Sequence, residues 1–330
     1  MNILVVTEKE LRQCVGLDRE VIAAIEEAFS ALARGEASVP PILALMIPEH
    51  QGEVDVKTAY IRGWEHFAVK IASGFFENYR LGLPTGSGLM LVFSARTGMP
   101  EAVLLDNAYL TDVRTGAAGA VAAAYLAPKQ VETAGVIGSG TQARYQMLGL
   151  KQVRDFRRLL VYSRNADRVQ AYVEEMAPRL EVEVIAAPSV EAVVRESQVV
   201  VTTTPSHTPY LRPNWLHPGL HITAMGSDTE EKQELYPEVL AQADLIVCDS
   251  RAQCARLGEL HHALDAGVLS QEAPIVELGE ITSGMRPGRT DEGQITVCDL
   301  TGVGVQDTAI AVLAMRRAME QGFGLALEVG

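Results

Sequence analysis

The chain has 330 residues, which is enough for two domains with ample hydrophobic cores. Its net charge of −14 disfavours binding to nucleic acid or to an anionic membrane surface, because the average field would repel phosphate groups. The apolar fraction is 48%, which is typical of a globular protein. We expect a cytoplasmic protein, because the sequence has no run of about 18 apolar residues and no signal-peptide pattern.

The first third of the chain predicts helices followed by a sheet. A short strand at 3–6 precedes Thr7 and Glu10, which have capping-box spacing, and Asp18 can cap a second, amphipathic helix. From 42 to 105, short runs rich in β-branched and aromatic residues are separated by Gly, Pro and Asn. This pattern predicts a mixed or antiparallel sheet of several strands.

The rest of the chain predicts an α/β domain. An Ala-rich helix over 111–126 ends before Pro128, and from 132 onward strands alternate with helices. Near-continuous apolar strands separated by helices are typical of a doubly wound parallel sheet, whose two faces are both covered. The segment GVQDTAIAVLAMRRAMEQG predicts a long C-terminal helix.

The sharpest local motif is VIGSGTQA at 136–143, which follows a predicted strand and opens a predicted helix. Gly138 would allow the tight turn, Gly140 the close approach of a pyrophosphate, and Ala143 stands where a third small residue belongs. Phosphates would then bind at the free N–H groups of the helix N-terminus. A lone Gly-x-Gly is also found in plain tight turns, but this context predicts dinucleotide binding.

The choice between NAD and NADP stays open. At the end of the next strand, where NAD enzymes carry a carboxylate for the ribose, this chain has Ser163 and Arg164. These two residues would suit the 2′-phosphate of NADP. Alternatively, Arg164 stacks on the adenine or lies in solvent.

Two further strand ends carry polar residues. Thr202 and Thr203 close one predicted strand, at the edge where an open α/β sheet binds its ligand, although threonine also favours strands for its shape. Met225 and Gly226 close another, and Asp228 follows them. A carboxylate beside a nicotinamide is a natural proton carrier, but Asp228 could equally cap a helix over TEEKQELY.

Cations interrupt apolar patterns in the first part of the chain. Lys57 and Lys70 either point into a pocket, where they would bind a carboxylate, or face outward on alternating strands. Arg114 lies in an Ala- and Gly-rich helix and therefore needs an anionic partner. That partner is either a structural carboxylate, such as Asp112 or Glu101, or a ligand.

The remaining reactive side chains form no recognisable motif. The four cysteines and the histidines lack metal-ligand spacing, which predicts no metal and buried thiols in a reducing compartment. No Gly-x-Ser-x-Gly elbow suggests a serine hydrolase.

Taken together, the motifs resemble the ornithine cyclodeaminase/μ-crystallin family over essentially the whole chain. The resemblance is carried, in order, by KIASGFFENYRLGLPTGSG, DNAYLTDVRTGAAGAVAAAYLA, GVIGSGTQAR, VVVTTTPS, ITAMGSDTEEKQEL and CDLTGVGVQD. It implies a substrate-binding and dimerisation domain at 1–120 plus 304–330, a Rossmann NAD(P)-binding domain at 121–303, an active site in the cleft, and a homodimer built through the first domain.

The resemblance also implies roles for individual residues. Lys70 matches the lysine that binds the substrate carboxylate, Arg114 the arginine that reaches substrate and pyrophosphate, and Asp228 the carboxylate that handles the proton on the substrate nitrogen. The expected catalytic residues are Asp228 and Lys70, and the expected substrate-binding residues are Lys57, Lys70, Arg114, Glu53 and Gly302. The expected contacts to NAD(H) or NADP(H) are Thr85, Arg114, Gly138, Gly140, Thr141, Gln142, Ser163, Arg164, Thr202, Thr203, Met225, Gly226, Lys232 and Thr301.

Departures from the family pattern bear on the substrate. Members that act on ornithine carry an arginine after the Pro-Pro pair, where this chain has Ile42. The chain looks most similar to the branch of ectoine-utilisation cyclodeaminase-like proteins and iminosuccinate reductases, and Lys57, Lys70 and Arg114 suit an anionic imine. The resemblance therefore implies NAD(P)H-dependent reduction of an α-imino acid to an L-amino acid, or the reverse. The alternatives are a deaminating cyclisation with catalytic NAD and, less favoured, a non-catalytic binding protein of the μ-crystallin type.

Overall fold

The computed structural model describes residues 2–330; Met1 lies outside the described residues. Two compact units are formed, the first from residues 2–114 and 303–330, and the second from residues 115–302. No helix in residues 2–330 is long and apolar enough to cross a membrane.

Strands and helices are numbered in chain order. The strands are β1 Asn2–Thr7, β2 Ala37–Ser38, β3 Leu43–Ile47, β4 Gly52–Ile61, β5 His66–Phe75, β6 Gly86–Ser94, β7 Pro100–Leu105, β8 Thr133–Ile137, β9 Arg158–Tyr162, β10 Glu183–Ala186, β11 Val199–Thr202, β12 His221–Ala224, β13 Leu245–Cys248, β14 Ile275–Glu277, β15 Thr296–Asp299 and β16 Leu325–Glu328. The helices are α1 Glu8–Cys14, α2 Arg19–Ala33, α3 Tyr109–Leu126, α4 Thr141–Val153, α5 Ala166–Leu180, α6 Val190–Glu196, α7 Pro237–Ala241, α8 Arg251–Leu257, α9 Glu259–Asp265, α10 Leu278–Thr282 and α11 Gly304–Glu320.

The first unit contains a mixed sheet in the strand order β16-β1-β7-β6-β5-β4, with β2 and β3 both pairing with β4. Only the β1–β7 pair is parallel among the described strand pairs of this sheet. The prediction of a mixed sheet is confirmed. The start of the unit also agrees with prediction, because Glu10 accepts hydrogen bonds from Thr7 and the Asp18 side chain caps α2.

One face of this sheet is covered by helices α2 and α11. Side chains alternate between the two faces of a strand, and directly paired residues share a face. Lys57 pairs with Lys70 across β4 and β5, and Lys70 pairs with Met90 across β5 and β6. Met90 and Lys70 are both buried. The two lysines therefore point to the helix-covered face of the sheet and not to its open face.

The opposite face of the first sheet is apolar and open. Val69, Ile71, Leu91 and Phe93 on β5 and β6 are only half-buried, and the rings of Phe67 and Phe93 stack with centroids 5.3 Å apart. The described residues therefore leave this face partly uncovered, whereas Lys70, Met90 and Val92 on the other face are buried. The sheet is thus hydrophobic on both sides but covered by helices on one.

The second unit contains an eight-stranded sheet in the order β10-β9-β8-β11-β12-β15-β13-β14, and all of its described pairs are parallel. The strand order reverses direction between β8 and β11, and open α/β sheets bind ligands outside the carboxyl ends of the strands at such a point. The predicted α/β fold with a doubly wound parallel sheet is confirmed. Strand β14, the short helices α7 to α10 and the exposed edge strand β16 have no counterpart in the sequence-based prediction.

Candidate functional site

The Gly-rich turn joins β8 to α4 at the reversal of strand order. Gly138 has a φ of +117°, and a Cβ placed there would lie 2.3 Å from Oγ1 of Thr203, so only glycine fits. The Thr203 hydroxyl donates to the carbonyl of Ile137 at 3.1 Å, which holds the end of β11 against this turn. Gly140 is the N-cap of α4, and a Cβ added there would meet no atom within 4 Å.

Arg144 braces the same turn from within α4. Its Nη1 donates to the carbonyls of Ser139 and Gly140 at 2.7 and 3.1 Å, and its Nε donates to Glu175 at 2.7 Å. Two carbonyls of the turn are thereby held by a cation, while the N-terminal amides of α4 keep the polarity that favours an anion. The open approach at Gly140 and this helix terminus fit a dinucleotide pyrophosphate. Thr141 and Gln142 form the first turn of α4, with Thr141 exposed.

The end of β9 lies beside the Gly-rich turn. The amide of Gly138 donates to the carbonyl of Tyr162 at 2.8 Å, so the next residues, Ser163 and Arg164, follow at the same sheet edge. The Ser163 hydroxyl accepts from the amide of Asn165 at 3.3 Å, and Arg164 is exposed. The structure brings both residues to the edge at which an adenosine ribose binds in Rossmann folds.

A fully buried glutamate ties together the ends of β11 and β12. Both oxygens of Glu234 are used: one accepts from the hydroxyl of Thr202 and the amide of Gly226, at 2.6 and 2.9 Å. The other accepts from the amide and hydroxyl of Thr204 and from the hydroxyl of Tyr210, each at 2.6 Å. Burial raises the pKa of Glu234, while these hydrogen bonds oppose the rise. The Thr202 hydroxyl is thus directed at Glu234.

The segment after β12 is a loop and not a helix. Of the two alternatives left open by the sequence, the structure excludes Asp228 as the cap of a helix over TEEKQELY, because residues 226–236 contain no helix. Asp228 is half-exposed and forms an ion pair with Lys232, with Oδ1 and Nζ 2.6 Å apart. The backbone carbonyl of Lys232 accepts from Ser227 and His262, which holds the loop in place.

The loop after β15 is held by Asp249. One oxygen of this buried carboxylate accepts from the amides of Thr301 and Gly302 at 2.9 and 2.6 Å, and the other accepts from the hydroxyl of Thr301 at 3.1 Å. Gly302 has a φ of +84°, a backbone conformation that favours glycine. Met225 and Gly226 lie after β12, and a Cβ on Gly226 would be 2.2 Å from the carbonyl of Thr204. These close-packed loop ends lie at the carboxyl edge of the sheet.

The first unit contains a buried cluster of charges. Oδ1 of Asp307 lies 3.2 Å from Nζ of Lys70 and 3.1 Å from Nε of Arg114, and all three side chains are nearly inaccessible. Nη1 of Arg114 also donates to Oε1 of Gln306 at 3.0 Å. Burial lowers the pKa of Lys70 to about 7, although Asp307 acts in the opposite direction. Lys57, paired with Lys70 in the sheet, adds a further positive charge.

This cluster corrects the expected partner of Arg114. The sequence left open a structural carboxylate, such as Asp112 or Glu101, or a ligand. The structure shows a structural carboxylate, but it is Asp307, and Glu101 pairs with His66 at 2.8 Å. The reason is topological: α11 packs against β5, which carries Lys70, and this packing places Asp307 of α11 next to Arg114 of α3. Residues that are close along the chain, such as Asp112, need not be close to the Arg114 side chain in the folded protein. The acidic residue inside the apolar helical pattern GVQDTAIAVLAM was the signal available for Asp307.

Glu53 and Thr85 lie outside the cluster. Glu53 is four residues before Lys57 on β4, about 13 Å away at the usual rise of a strand. Thr85 is exposed, immediately before β6, and is five residues from the Met90 that pairs with Lys70. The structure thus brings together Lys57, Lys70 and Arg114, but not Glu53 or Thr85.

Three residues that support the candidate site were not predicted from the sequence: Glu234, Asp249 and Arg144. Each acts on loop backbone or on neighbouring side chains, and no spacing motif marks such a role. In residues 2–330 there is no group of three or more His, Cys, Asp or Glu side chains placed to hold a metal ion. The four cysteines are buried free thiols, as predicted.

Comparison with curated proteins shows full-length similarity. Two proteins with provisional names, a dehydrogenase of Rhizobium meliloti (strain 1021) and a cyclodeaminase of Sinorhizobium fredii (strain NBRC 101917 / NGR234), are 49% and 48% identical to this chain, with 98% of each chain covered. The iminosuccinate reductase of Paracoccus denitrificans (strain Pd 1222) is 32% identical, with 99% of this chain and 100% of the relative covered.

Solved structures share the same fold over the whole chain. An archaeal alanine dehydrogenase dimer with bound NAD superposes with a TM-score of 0.93 at 34% identity, with both chains covered completely. The Δ1-pyrroline-2-carboxylate reductase of Thermococcus litoralis, in complex with NADH and L-proline, gives a TM-score of 0.93 at 30% identity, covering 98% of this chain and 100% of the other.

The model of the ornithine cyclodeaminase/mu-crystallin family matches residues 2–322, which is nearly the whole chain. The resemblance read from the sequence motifs is confirmed. The protein belongs to the ornithine cyclodeaminase/mu-crystallin family.

Proposed function

We propose that the protein is an oxidoreductase that reduces an α-imino acid to an L-amino acid with NADH or NADPH, or catalyses the reverse dehydrogenation. The observation that carries this proposal is the buried cluster of Lys70 and Arg114, which is suited to a carboxylate. The Gly-rich turn of the second unit, which fits a dinucleotide, supports it. So do the relatives named as an iminosuccinate reductase, an alanine dehydrogenase and a pyrroline-2-carboxylate reductase.

The proposal assigns residues 121–303 to cofactor binding and residues 1–120 plus 304–330 to substrate binding and dimerisation. Gly138, Gly140 and Thr141 would hold the pyrophosphate, and Ser163 and Arg164 the adenosine side. The remaining cofactor contacts proposed are Thr85, Arg114, Gln142, Thr202, Thr203, Met225, Gly226, Lys232 and Thr301. When bound, the nicotinamide supplies or accepts the hydride, and the protein supplies orientation and electrostatics.

The side chains of the chain itself have three tasks in this proposal. Lys70 and Arg114 bind the substrate carboxylate and so orient the imine carbon. Asp228 carries the proton that is added to, or removed from, the substrate nitrogen. Its half-exposed position beside Lys232 lets it exchange that proton with solvent. Gly302 and Glu53 complete the proposed substrate contacts.

The cations favour an anionic substrate. Lys57, Lys70 and Arg114 act on the same buried region with Asp307 between them, so positive charge is in excess there. An imine of the iminosuccinate or cyclic ketimine type, which carries at least one carboxylate, matches this charge. A cationic diamino acid matches it less well.

The direct test is the loss of absorbance at 340 nm with NADH or NADPH, ammonia and a panel of oxoacids, together with a cyclic ketimine. We expect turnover with at least one of these substrates, and we expect Asp228→Asn to lower kcat by about a hundredfold or more because general acid catalysis is lost. The cofactor that supports turnover decides between NAD and NADP.

Deaminating cyclisation is the second candidate, because a relative at 48% identity is named as a cyclodeaminase. In that reaction the hydride is removed and returned, so no net oxidation is seen. Release of ammonia from ornithine or a related diamine with catalytic NAD, without cofactor consumption by any oxoacid or ketimine, would show that the reductase proposal is wrong.

We also propose a homodimer formed through the open apolar face and edge of the first sheet. Leu43, Leu45 and Met46 on strand β3 are 61%, 56% and 61% exposed. Exposed apolar area of this kind is characteristic of an interface, and the archaeal alanine dehydrogenase relative is a dimer.

The four buried free thiols support a reducing, cytoplasmic compartment.

A further inference from the structure

The carboxylate of Asp307 lies between the two cations proposed to bind substrate. It has no exposed surface, and Oδ1 is close to both Nζ of Lys70 and Nε of Arg114, at 3.2 and 3.1 Å. Removing one partner of a buried ion pair leaves an uncompensated charge, which is strongly unfavourable. The position of both cations, and the charge state of Lys70, therefore depend on Asp307.

Asp307 interacts with Lys70 and Arg114 mainly through its charge. Neither of its oxygens accepts a well-aligned hydrogen bond from a described residue, so its contacts with Lys70 and Arg114 are ionic. Arg114 presents Nε to Asp307 and Nη1 to Gln306. A guanidinium is planar and rigid, so fixing two of its nitrogens fixes the direction of the whole fork. The first turns of α11 thus orient the guanidinium.

Four charged groups act on Lys70, and they come from different elements. Lys57 lies on β4, Arg114 on α3, Asp307 on α11, and Asp106 in the turn between β7 and α3. Burial lowers the pKa of Lys70 to about 7 and raises that of Asp106 to about 6. Among these groups, Asp307 lies in direct contact with Lys70 and raises its pKa, the more distant carboxylate of Asp106 acts in the same direction, and Lys57 and Arg114 lower it.

We propose that Asp307 is a positioning residue that holds Lys70 and Arg114 side by side as cations, so that the two together bind the substrate carboxylate. This inference rests on the proposed function, in which those two residues bind substrate. It predicts that removing the charge of Asp307 weakens carboxylate binding most at alkaline pH, where Lys70 then loses its proton more readily.

The test uses Asp307→Asn, which keeps the shape and removes the charge. Binding of pyrrole-2-carboxylate, a planar carboxylate, is measured by isothermal titration calorimetry in the presence of NADH from pH 6 to 9. For the wild type we expect affinity to decline as the pH rises through about 7. For the variant we expect the decline to start about one pH unit lower, so that affinity at pH 8 falls about tenfold while that at pH 6 changes little.

Asp18→Asn is the matched control. Asp18 pairs with Arg317, which lies near the other end of α11. Arg317 follows Asp307 by ten residues, which is about 15 Å along the helix. We expect this control to lower the melting temperature without moving the pH dependence of binding. The proposal is overturned if Asp307→Asn binds the probe with the wild-type pH dependence, or if the wild type binds no probe at all.

The same experiment separates this inference from the proposed function. If the wild type binds pyrrole-2-carboxylate with the expected pH dependence but reduces no imine, the proposed reaction is wrong and the role of Asp307 in holding a carboxylate site stands. If the wild type reduces an imine and Asp307→Asn shows an unshifted pH profile of kcat/KM, the reaction stands and the positioning role is wrong.

Discussion

Gly138 and Gly140 occupy one turn but are required for different reasons. Gly138 has a left-handed backbone, and a Cβ would collide with Thr203, so its requirement belongs to the fold itself. Gly140 has an ordinary φ of −87°, and a Cβ there would meet no atom of the protein. If the turn binds a pyrophosphate, glycine is needed at position 140 because the ligand must approach the backbone closely, and not because the fold demands it.

Alanine substitutions separate these two roles. Gly138→Ala should destabilise the protein by roughly 1–3 kcal/mol, because the backbone is strained and Thr203 must move. Gly140→Ala should leave stability nearly unchanged but weaken NADH binding at least about tenfold, since the methyl group blocks close approach of the phosphates. Chemical denaturation and NADH fluorescence titration measure the two effects. A Gly140→Ala protein with wild-type affinity for both NADH and NADPH would contradict the assigned phosphate site.

At the scale of elements, the loops after β11 and β12 are organised by Glu234. Its two oxygens accept both an amide of the first loop, from Thr204, and an amide of the second, from Gly226. The backbone amides of Glu234 and Leu235 in turn donate to Glu259. These tertiary hydrogen bonds use backbone donors that a helix over this segment would need, which explains why TEEKQELY forms a loop.

Glu234→Gln tests this arrangement with a minimal change in shape. Gln has only one acceptor oxygen, so its NH₂ group must face an amide donor from either Thr204 or Gly226, and one buried donor loses its partner. We expect a loss of roughly 2–3 kcal/mol in the free energy of unfolding and a rise in the dissociation constant for NADH. Urea denaturation measures the change in the free energy of unfolding. Glu238→Gln, on the exposed side of α7, should change neither value; equal effects in both variants would argue against the loop-anchoring role.

At the scale of the whole molecule, the sheet of the first unit is apolar on two faces but covered by helices on one. Val69, Ile71, Leu91 and Phe93 lie half-exposed on the open face, and the exposed strand β3 borders it. A half-buried apolar sheet face is expected to pack against another surface. A second copy of the chain is the partner that we propose.

Leu91→Asp probes this surface. A carboxylate in the centre of the open face should shift the protein toward the monomer, because a buried unpaired charge costs several kcal/mol. Sedimentation velocity gives the oligomeric state. Met319→Asp places the same charge on an exposed position of α11 and should leave the oligomer intact. A dimer that persists unchanged in Leu91→Asp would place the interface elsewhere.

The sequence by itself determined the parts of this protein that depend on local pattern. Apolar periodicity predicted the parallel sheet of the second unit. The Gly-x-Gly turn between strand and helix was recognisable because the turn needs a positive φ at one residue, Gly138, and glycine adopts that angle readily. Lys70 and Arg114 stood out because a charge inside an apolar pattern is unusual. Six motifs in order also sufficed to indicate the family.

Only the tertiary structure decided which groups meet. Arg114 and Asp307 are far apart in the sequence, and their ion pair exists because α11 returns to pack on the first sheet. Glu234 and Asp249 hold loops that are distant in sequence, and the strand ends they organise become neighbours only in the folded sheet. The physical reason is the same in each case: electrostatic and hydrogen-bond energies depend on distance in space, which local sequence patterns do not encode.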